Sequence, residues 1–435
     1  MRQRFSGALL GTLMLVLAAS TEVSAQGNGG PADTLTLDRA VALALENNPS
    51  MRAATAGVSL AAAVSRQTLG SYYPGLSFAA SASHTEGVFV FNPTIPARYQ
   101  IYSSYSGGLQ VNQLLYDFGR TSNRVAANTN LEDASQLDYR TARDLVIMNA
   151  QLSFFAYIEA GRVEKVDEEA VQSAAQHLTQ ARAFYSVGTR PRLDVTKAEV
   201  DLANANVTLI TARNQTRVAR VQLENALGVH LADSVAVSDV FTLPPAELTL
   251  DSVMTIATAR RPDVLGAQAR LAGANALVSA TWSQHLPTLS ANGSWTWNGF
   301  EPSPLYGRWN AGVTLSIPIF QGFIINAQVE QAEANAEAAK ADLEMTTENA
   351  LLDVEQSFLA LRAADERKVA TAKLVQEAEE NLTLAIRQYT AGVGTALDVS
   401  DAQLARSNAH ITDIQAYYDY YSSLVRLRRS MGLNP

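Results

Sequence analysis

Asp398 and Asp401 are the acidic pair in this 435-residue chain whose spacing invites a function. They lie three residues apart at the head of a predicted helix, so their carboxylates share one face. Thr395-x-x-Asp398 also reads as a capping box, and an acid in the first turn suits the helix dipole. Asp401 has a weaker reason of that kind. Bond chemistry finds no footing elsewhere. There is no Gly-Lys-[Ser/Thr] phosphate loop, no His-Glu-x-x-His and no Gly-x-Ser-x-Gly. The five histidines, His84, His177, His230, His285 and His410, are scattered, so no metal site is expected. The absence of cysteine excludes disulfides, zinc–thiolate sites and thiol nucleophiles. An enzyme is not expected, and neither is a cofactor.

The elements that must position the aspartates come in two copies. Tyr185-Ser186-Val187-Gly188-Thr189 … Leu193-Asp194-Val195 recurs as Tyr389-Thr390-Ala391-Gly392-Val393 … Leu397-Asp398-Val399, a shift of 204 (389 − 185). The same shift takes Tyr116 to Phe320 and Leu227-Gly228 to Met431-Gly432. Upstream the shift is 213, with Pro49 mapping to Pro262 and Pro74 to Pro287. The first copy therefore holds 9 extra residues (213 − 204) between Pro74 and Tyr116. Two copies of this size make a duplicated domain rather than a solenoid. The predicted division is a signal peptide over 1–25, a first repeat over 26–228 and a linker over 229–250. The second repeat covers 251–432, and 433–435 form the C-terminal end.

Each repeat opens with a helix broken at proline, at Pro49 and again at Pro262. Alternating segments follow, over about 76–115 and 288–319. Leu289, Ala291, Gly293, Trp295 and Trp297 share one face, opposite Ser290, Asn292, Ser294 and Thr296. Trp309, Ala311, Val313, Leu315 and Ile317 repeat the pattern. In the first copy Leu76, Phe78, Ala80 and Ala82 face one way, with Tyr105, Gly107, Leu109 and Val111 on the partner strand. Period two marks strands with one apolar and one polar face. Glu86–Tyr102 is read as the loop between the first pair. Long helices come next. From Asp117 to Val187 there is no proline and only Gly119 and Gly161; from Gln321 to Ala391 there is no proline and only Gly322. About 70 residues at 1.5 Å each would span roughly 105 Å. A glycine-bearing turn and a return helix, Leu193–Leu227 or Leu397–Met431, complete each repeat.

Arg2 and Arg4, the apolar run Ala8–Ala19 and Val23-Ser24-Ala25 form a secretory signal, with the mature chain expected from Gln26. No cysteine is available at that site for lipidation. The chain carries −9; removing two arginines and one glutamate with Met1–Ala25 leaves −10. That argues against nucleic acid, which needs clustered Lys/Arg. No later apolar run is long enough for a spanning helix. The tryptophan-bearing strand faces instead match transmembrane β-strands, with Trp295, Trp297, Trp309 and Tyr105 as an aromatic girdle. A water-soluble sheet with one buried face is the alternative. Four strands do not close a barrel, and open edges are not tolerated in lipid. The chain must then oligomerise, and three chains would give twelve strands.

These residues resemble the TolC-like outer membrane factors, trimeric exit ducts of Gram-negative bacteria. The resemblance rests on motifs that occur in order in both halves. They are Ala44-Leu45-Glu46-Asn47-Asn48-Pro49 and Ala259-Arg260-Arg261-Pro262-Asp263, then Leu114-Leu115-Tyr116-Asp117-Phe118-Gly119 and Ile317-Pro318-Ile319-Phe320-Gln321-Gly322, and finally the two Tyr-x-x-Gly … Leu-Asp-Val turns. It covers about Leu35 to Gly432. It implies an α+β membrane protein, with a twelve-stranded trimeric β-barrel in the outer membrane continuous with a long periplasmic α-helical barrel. It also implies partners: two further copies, outer membrane lipid, a periplasmic adaptor and an inner-membrane RND or ABC pump.

By the same resemblance Asp398 and Asp401 would ring the periplasmic opening, six carboxylates per trimer. Such a ring would raise some of its own pKa values and attract cations. Tyr389 and Asp194 would clasp the two hairpins. An arginine that helps in some relatives falls at Gly394, and Arg190 stands in the other hairpin instead. The tips Val187, Gly188, Thr189 and Ala391, Gly392, Val393, Gly394, Thr395 would meet the adaptor. Gly188, Gly392 and Gly394 are expected to supply turn conformations, and Tyr389 and Tyr185 could equally be packing residues. Small-molecule efflux leads, with type I protein secretion as the runner-up. A non-conducting exported coiled-coil surface protein is the reading from another class.

Overall fold

A computed structural model describes residues 34–89, 98–232, 235–239 and 249–433. The expected signal segment, the end of the first hairpin and most of the linker lie outside the described residues. The first repeat runs α1 (Leu37–Asn47), α2 (Pro49–Leu69), β1 (Gly75–Phe89), β2 (Arg98–Tyr116), α3 (Arg120–Ser186) and α4 (Arg192–Leu227). The second runs α5 (Leu250–Arg260), α6 (Pro262–Trp282), β3 (Thr288–Gly299), β4 (Tyr306–Ser316), α7 (Ile324–Thr390) and α8 (Ala396–Ser430). Both long helices, α3 and α7, have 67 residues, about 100 Å at 1.5 Å per residue. None of the described helices is long and apolar enough to cross a membrane.

The prolines act where the sequence puts them. α1 stops at Asn48, whose side chain accepts from Ser50 N (2.9 Å) to cap α2 and donates to Ala226 O (3.0 Å). Arg261 takes that place in the second repeat. It reaches the equivalent carbonyl, Ser430 O, at 3.4 Å and pairs with Asp263 (2.6 Å) and Asp353 (3.1 Å). Burial alone would raise the Asp263 carboxyl, but the Arg261 guanidinium outweighs it and the net shift is downward.

The hairpins pack as coiled coils with small residues at the seam. On α8 the buried Ala402, Ala409, Ala416 and Ser423 recur every seven residues. So do Ala364, Thr371, Ala378 and Ala385 on α7, and Asp167, Ala174 and Ala181 on α3. A strict seven-residue period keeps one seam facing its neighbour by slight supercoiling, and alanine lets the axes approach closely. At mid-height larger side chains fill the core. Leu37, Ala40, Phe154, Phe155 and Leu223 cluster in one repeat, and Val253, Ala257, Val354 and Leu424 in the other.

The strands form one antiparallel sheet in the order β1-β2-β3-β4. Register fixes the faces: Phe78 opposes Leu109, Leu109 opposes Trp295, and Trp295 opposes Trp309. All lie on one side, with Leu76, Tyr105, Val111, Leu289, Val313 and Leu315. This is the apolar face read from the sequence. The other side carries Ser81–Ser106 and Ser83–Ser104 hydroxyl pairs, each 2.7 Å. The first hairpin is longer than the alternation suggested. Glu86 to Phe89 and Arg98 to Tyr102 are strand rather than loop. Just before this extension His84 and Ser103 interrupt the apolar face, and Glu86 follows opposite Ile101, so pairing persists through a polar break in the alternation. Leu115 is the extra residue of a bulge where β2 meets β3.

Sheet passes to helix through paired left-handed residues, Phe118 and Gly119 in one repeat, Gly322 and Phe323 in the other. Glycine and phenylalanine exchange places between copies. Asp117 then caps α3, its carboxylate accepting from Thr121 N (2.8 Å) and Oγ1 (2.5 Å).

Gly228 and Gly432 end α4 and α8 at φ +71° and +67°. A Cβ on either would fall 2.9 Å from a backbone atom of α1 or α5, at Asn47 or Arg260. Left-handed strain and overlap with rigid backbone together predict a loss of about 2–5 kcal/mol for Gly228→Ala or Gly432→Ala. Gly161→Ala, in open helix surface, should not destabilise. Thermal unfolding followed by circular dichroism checks the contrast.

Candidate functional site

Two regions of this framework bear on function. The first is the exposed apolar face of the sheet. Trp295 and Trp309 are cross-strand partners, 52% and 71% exposed, and the Trp297 ring lies 6.2 Å from Trp295. With Tyr105, opposite Gly299, they gather in neighbouring rows near the loop end of the sheet. A second aromatic band, missed in the sequence, lies at the helix end. It comprises Tyr73, Tyr116, Phe118, Trp282, Phe320 and Phe323, all exposed. Tyr116 stacks edge-on against Phe118, and Phe320 against Phe323. From the Tyr116–Leu289 row to Trp297 is eight residues of β3 (297 − 289). At about 3.3 Å each and ~40° tilt that is roughly 20 Å, near the height of a lipid-facing band. The second band was hidden because Tyr116 follows a bulge that shifts the strand period, and the others fall in turns and a helix end.

The second region is the far end, where the α3–α4 and α7–α8 turns meet. Gly188 and Gly392 adopt φ +75° and +82°, as the turns require. Gly394 serves differently: a Cβ there would lie 3.0 Å from Gln388 Cβ and Tyr389 N. Val187 (71%), Val393 (81%) and Ala391 project into solvent. Thr189 is exposed too but ties back to its own helix, donating through both N and Oγ1 to Phe184 O. Tyr185 and Tyr389, equivalent by repeat, part company: Tyr185 is 47% exposed and Tyr389 1%.

Tyr389 is the centre of the tip. Its ring packs among Ala385, Ala396, Val399 and Ala402, with Phe184 and His177 beside it. Its hydroxyl donates to Asp194 at 3.4 Å, a long bond. Arg190 makes the firmer tie. It donates to Tyr389 O (2.9 Å) and Gly394 O (3.0 Å), and its guanidinium lies 4.6 Å from the Tyr389 ring centre. Charge-assisted hydrogen bonds and a cation–π contact are each worth about 1–3 kcal/mol. Arg190 of one hairpin thus reaches the backbone of the other at Gly394. Further up, Asp201 accepts from Ser400 (2.5 Å), Gln403 donates to Ser173 (3.1 Å), and Arg406 faces Glu169 (3.7 Å). These cross-ties join residues some 200 positions apart, and no local motif announces them.

Asp398 performs the cap. Its carboxylate accepts from Thr395 Oγ1 (2.7 Å) and N (2.8 Å), and Asp398 N donates to Thr395 Oγ1 (3.2 Å). Within one chain the threonine hydroxyl and amide hold this carboxyl below its ordinary value, not above it. Asp401 is exposed on the same helix face. Among the described residues no cluster of three or more acidic, histidine or cysteine side chains could hold a metal ion.

His177 has a buried Nε2 with no hydrogen-bond partner. Burial depresses its pKa below 6.5; Asp201 and Asp194 pull it upward, and Lys197 adds to the depression. The packed tip therefore favours the neutral ring. Its stability is complete above pH 6.5 and falls as pH drops from there toward the lower value in the packed state. Amide hydrogen exchange around Tyr389 should quicken over that range, and His177→Leu should flatten the dependence.

The family model for outer membrane efflux proteins matches residues 40–229 and 253–433. Outer membrane protein OprJ of Pseudomonas aeruginosa is 27% identical over 430 residues, spanning 94% of this chain and 88% of OprJ. The solvent efflux pump outer membrane protein SrpC of Pseudomonas putida is 26% identical over 412 residues, 91% of this chain and 85% of SrpC. In fold, the CmeC outer membrane channel of Campylobacter jejuni superposes with a TM-score of 0.82 at 22% identity, covering 91% of this chain and 85% of CmeC. The repeat, the lipid-type sheet face and these matches lead to one assignment: the chain belongs to the outer membrane efflux protein family and is an outer membrane exit duct that extends into the periplasm.

Proposed function

We propose that three copies of this chain close into one duct that carries small molecules outward from an inner-membrane pump and a periplasmic adaptor. The observation that carries this is the sheet. Among the described residues it ends at β1 and β4 with neither outer edge paired, and its exposed face bears tryptophan and leucine. Such edges cost several kcal/mol per unpaired group in lipid. Joining β1 of one copy to β4 of the next removes every edge and gives twelve strands.

The helices support the same closure. Leu193, Val200, Val207 and Val221 stand exposed on α4, and Met345, Leu352 and Leu359 on α7, spaced by sevens or a multiple. These stripes have the seam period but, among the described residues, nothing covers them. A second copy of the same chain is the occupant that symmetry and spacing fit.

Efflux of small molecules is favoured as cargo by SrpC, a solvent efflux component. Asp398 and Asp401 would then form the cation-attracting ring at the periplasmic mouth. Arg190, Tyr389 and Asp194 would be the ties that hold the mouth narrow. Val187, Ala391 and Val393, with the turn residues beside them, would meet the adaptor. A photo-crosslinker on a cysteine at Ala391, in a chain with no other cysteine, identifies that partner. An adaptor of a proton-driven pump supports drug-type efflux, and an adaptor of a protein exporter would replace that reading.

Planar bilayer recordings test the mouth. Arg190→Ala should raise open probability more than Tyr389→Phe, because the tyrosine hydroxyl bond is the longer one. Asp398→Asn with Asp401→Asn should weaken cation selectivity while leaving an oxygen to accept from Thr395. Unchanged selectivity would leave Asp398 as a cap alone.

A further inference from the structure

Above the tip, α3, α4, α7 and α8 line a half-open cavity of about 430 Å³, and of its wall the duct reading uses only Asp401. Asp167 of α3 lines it. This residue occupies a seam position, seven before Ala174 and fourteen before Ala181, where the other seams place alanine, serine or threonine. It is 4% exposed. Among the described residues no hydrogen bond or ion pair reaches its carboxylate. The comparable polar seam residue on α7, Thr371, is satisfied by Asp413 at 2.8 Å. Partial desolvation of a carboxylate with no protein partner is costly, and it raises the Asp167 pKa. Its remaining free surface gives onto the cavity.

The lining decides what could fill the space. Asp167, Asp201 and Asp401 contribute three carboxylates, against Lys197 and Arg406. Arg406 already leans toward Glu169, outside this set. An anion would meet net negative charge. A neutral apolar molecule would leave Asp167 unpaired. The acidic groups are not gathered closely enough to hold a metal ion. Ala170, Ala174, Leu382 and Leu404 supply apolar wall. The volume is that of a site for a drug-sized molecule.

We propose that this cavity binds a monovalent organic cation with an apolar body, its charged nitrogen seated at the Asp167 carboxylate between α3, α4 and α8. The proposal rests on the reading of the chain as an efflux duct, and it names a class of molecule that the duct holds on its way.

Ethidium is a suitable probe, being a fluorescent aromatic cation, and phenylnaphthylamine is the neutral control. Anisotropy titrations of the full-length protein in detergent should show saturable ethidium binding. Asp167→Asn, nearly isosteric, should weaken it at least tenfold and leave phenylnaphthylamine unaffected. Ala174→Leu, which fills the cavity without changing charge, should weaken ethidium similarly. Absence of saturable ethidium binding, or an affinity unmoved by Asp167→Asn, overturns the proposal. Should Ala174→Leu fail to assemble, Asp167→Asn decides alone. Conductance separates the two readings: a protein that conducts but binds no ethidium refutes the cavity and spares the duct, whereas one that stays silent even as Arg190→Ala refutes the duct.

Discussion

A strand edge cannot be left open in hydrocarbon, and most of this molecule follows from that. Each chain supplies four strands whose outward face is apolar and whose inward face is serine, asparagine and threonine. Lipid removes water as the partner for unpaired backbone groups. The sheet must therefore close on copies of itself, and closure sets a common axis for the helices beneath. The left-handed pairs Phe118–Gly119 and Gly322–Phe323 carry the chain from one regime to the other. Below them, alanine seams allow four helical segments to pack closely in a wall roughly 100 Å tall.

At the far end the chemistry reverses. Lipid no longer enforces closure, and the two hairpins of a chain are held by a few directional contacts. Arg190 bridges to Tyr389 and Gly394, Asp194 receives the tyrosine hydroxyl, and Asp201 receives Ser400. Each contributes only a few kcal/mol at most. Contacts of that size give way more readily than a hydrogen-bonded sheet in lipid. The rigid and the movable ends are thus built from the same repeat by different interactions.

Much of this was legible in the sequence, for identifiable reasons. The repeat fixed the element order, since Pro49 and Pro262, and Gly228 and Gly432, punctuate both copies at the same places. Period-two alternation placed Phe78, Leu109, Trp295 and Trp309 on one face, because a one-residue slip would have sent every side chain to the other. The capping box at Thr395 and Asp398 was readable because it is local. What stayed hidden was non-local or aperiodic. The first hairpin extends past its apolar band, so His84 and Glu86 masked strand as loop. The inner aromatic band, Tyr116 after its bulge excepted, sits outside any strand. Ser400 on Asp201, and Arg190 on the Gly394 carbonyl, join distant segments through backbone and small side chains. Asp167 looks like a surface acid until its seven-residue register with Ala174 and Ala181 is seen.

The decisive measurement concerns the closure of the sheet. The chain contains no cysteine, so one can be placed at Ser81 of β1 and a second, in turn, at Arg308, Asn310, Gly312 or Thr314 of β4. Oxidation of the membrane-inserted protein should, for at least one pair, produce a denaturant-resistant ladder that stops at three linked chains. A ladder that continues beyond three, or no intermolecular disulfide in any register, would contradict a barrel closed by β1 of one copy on β4 of the next.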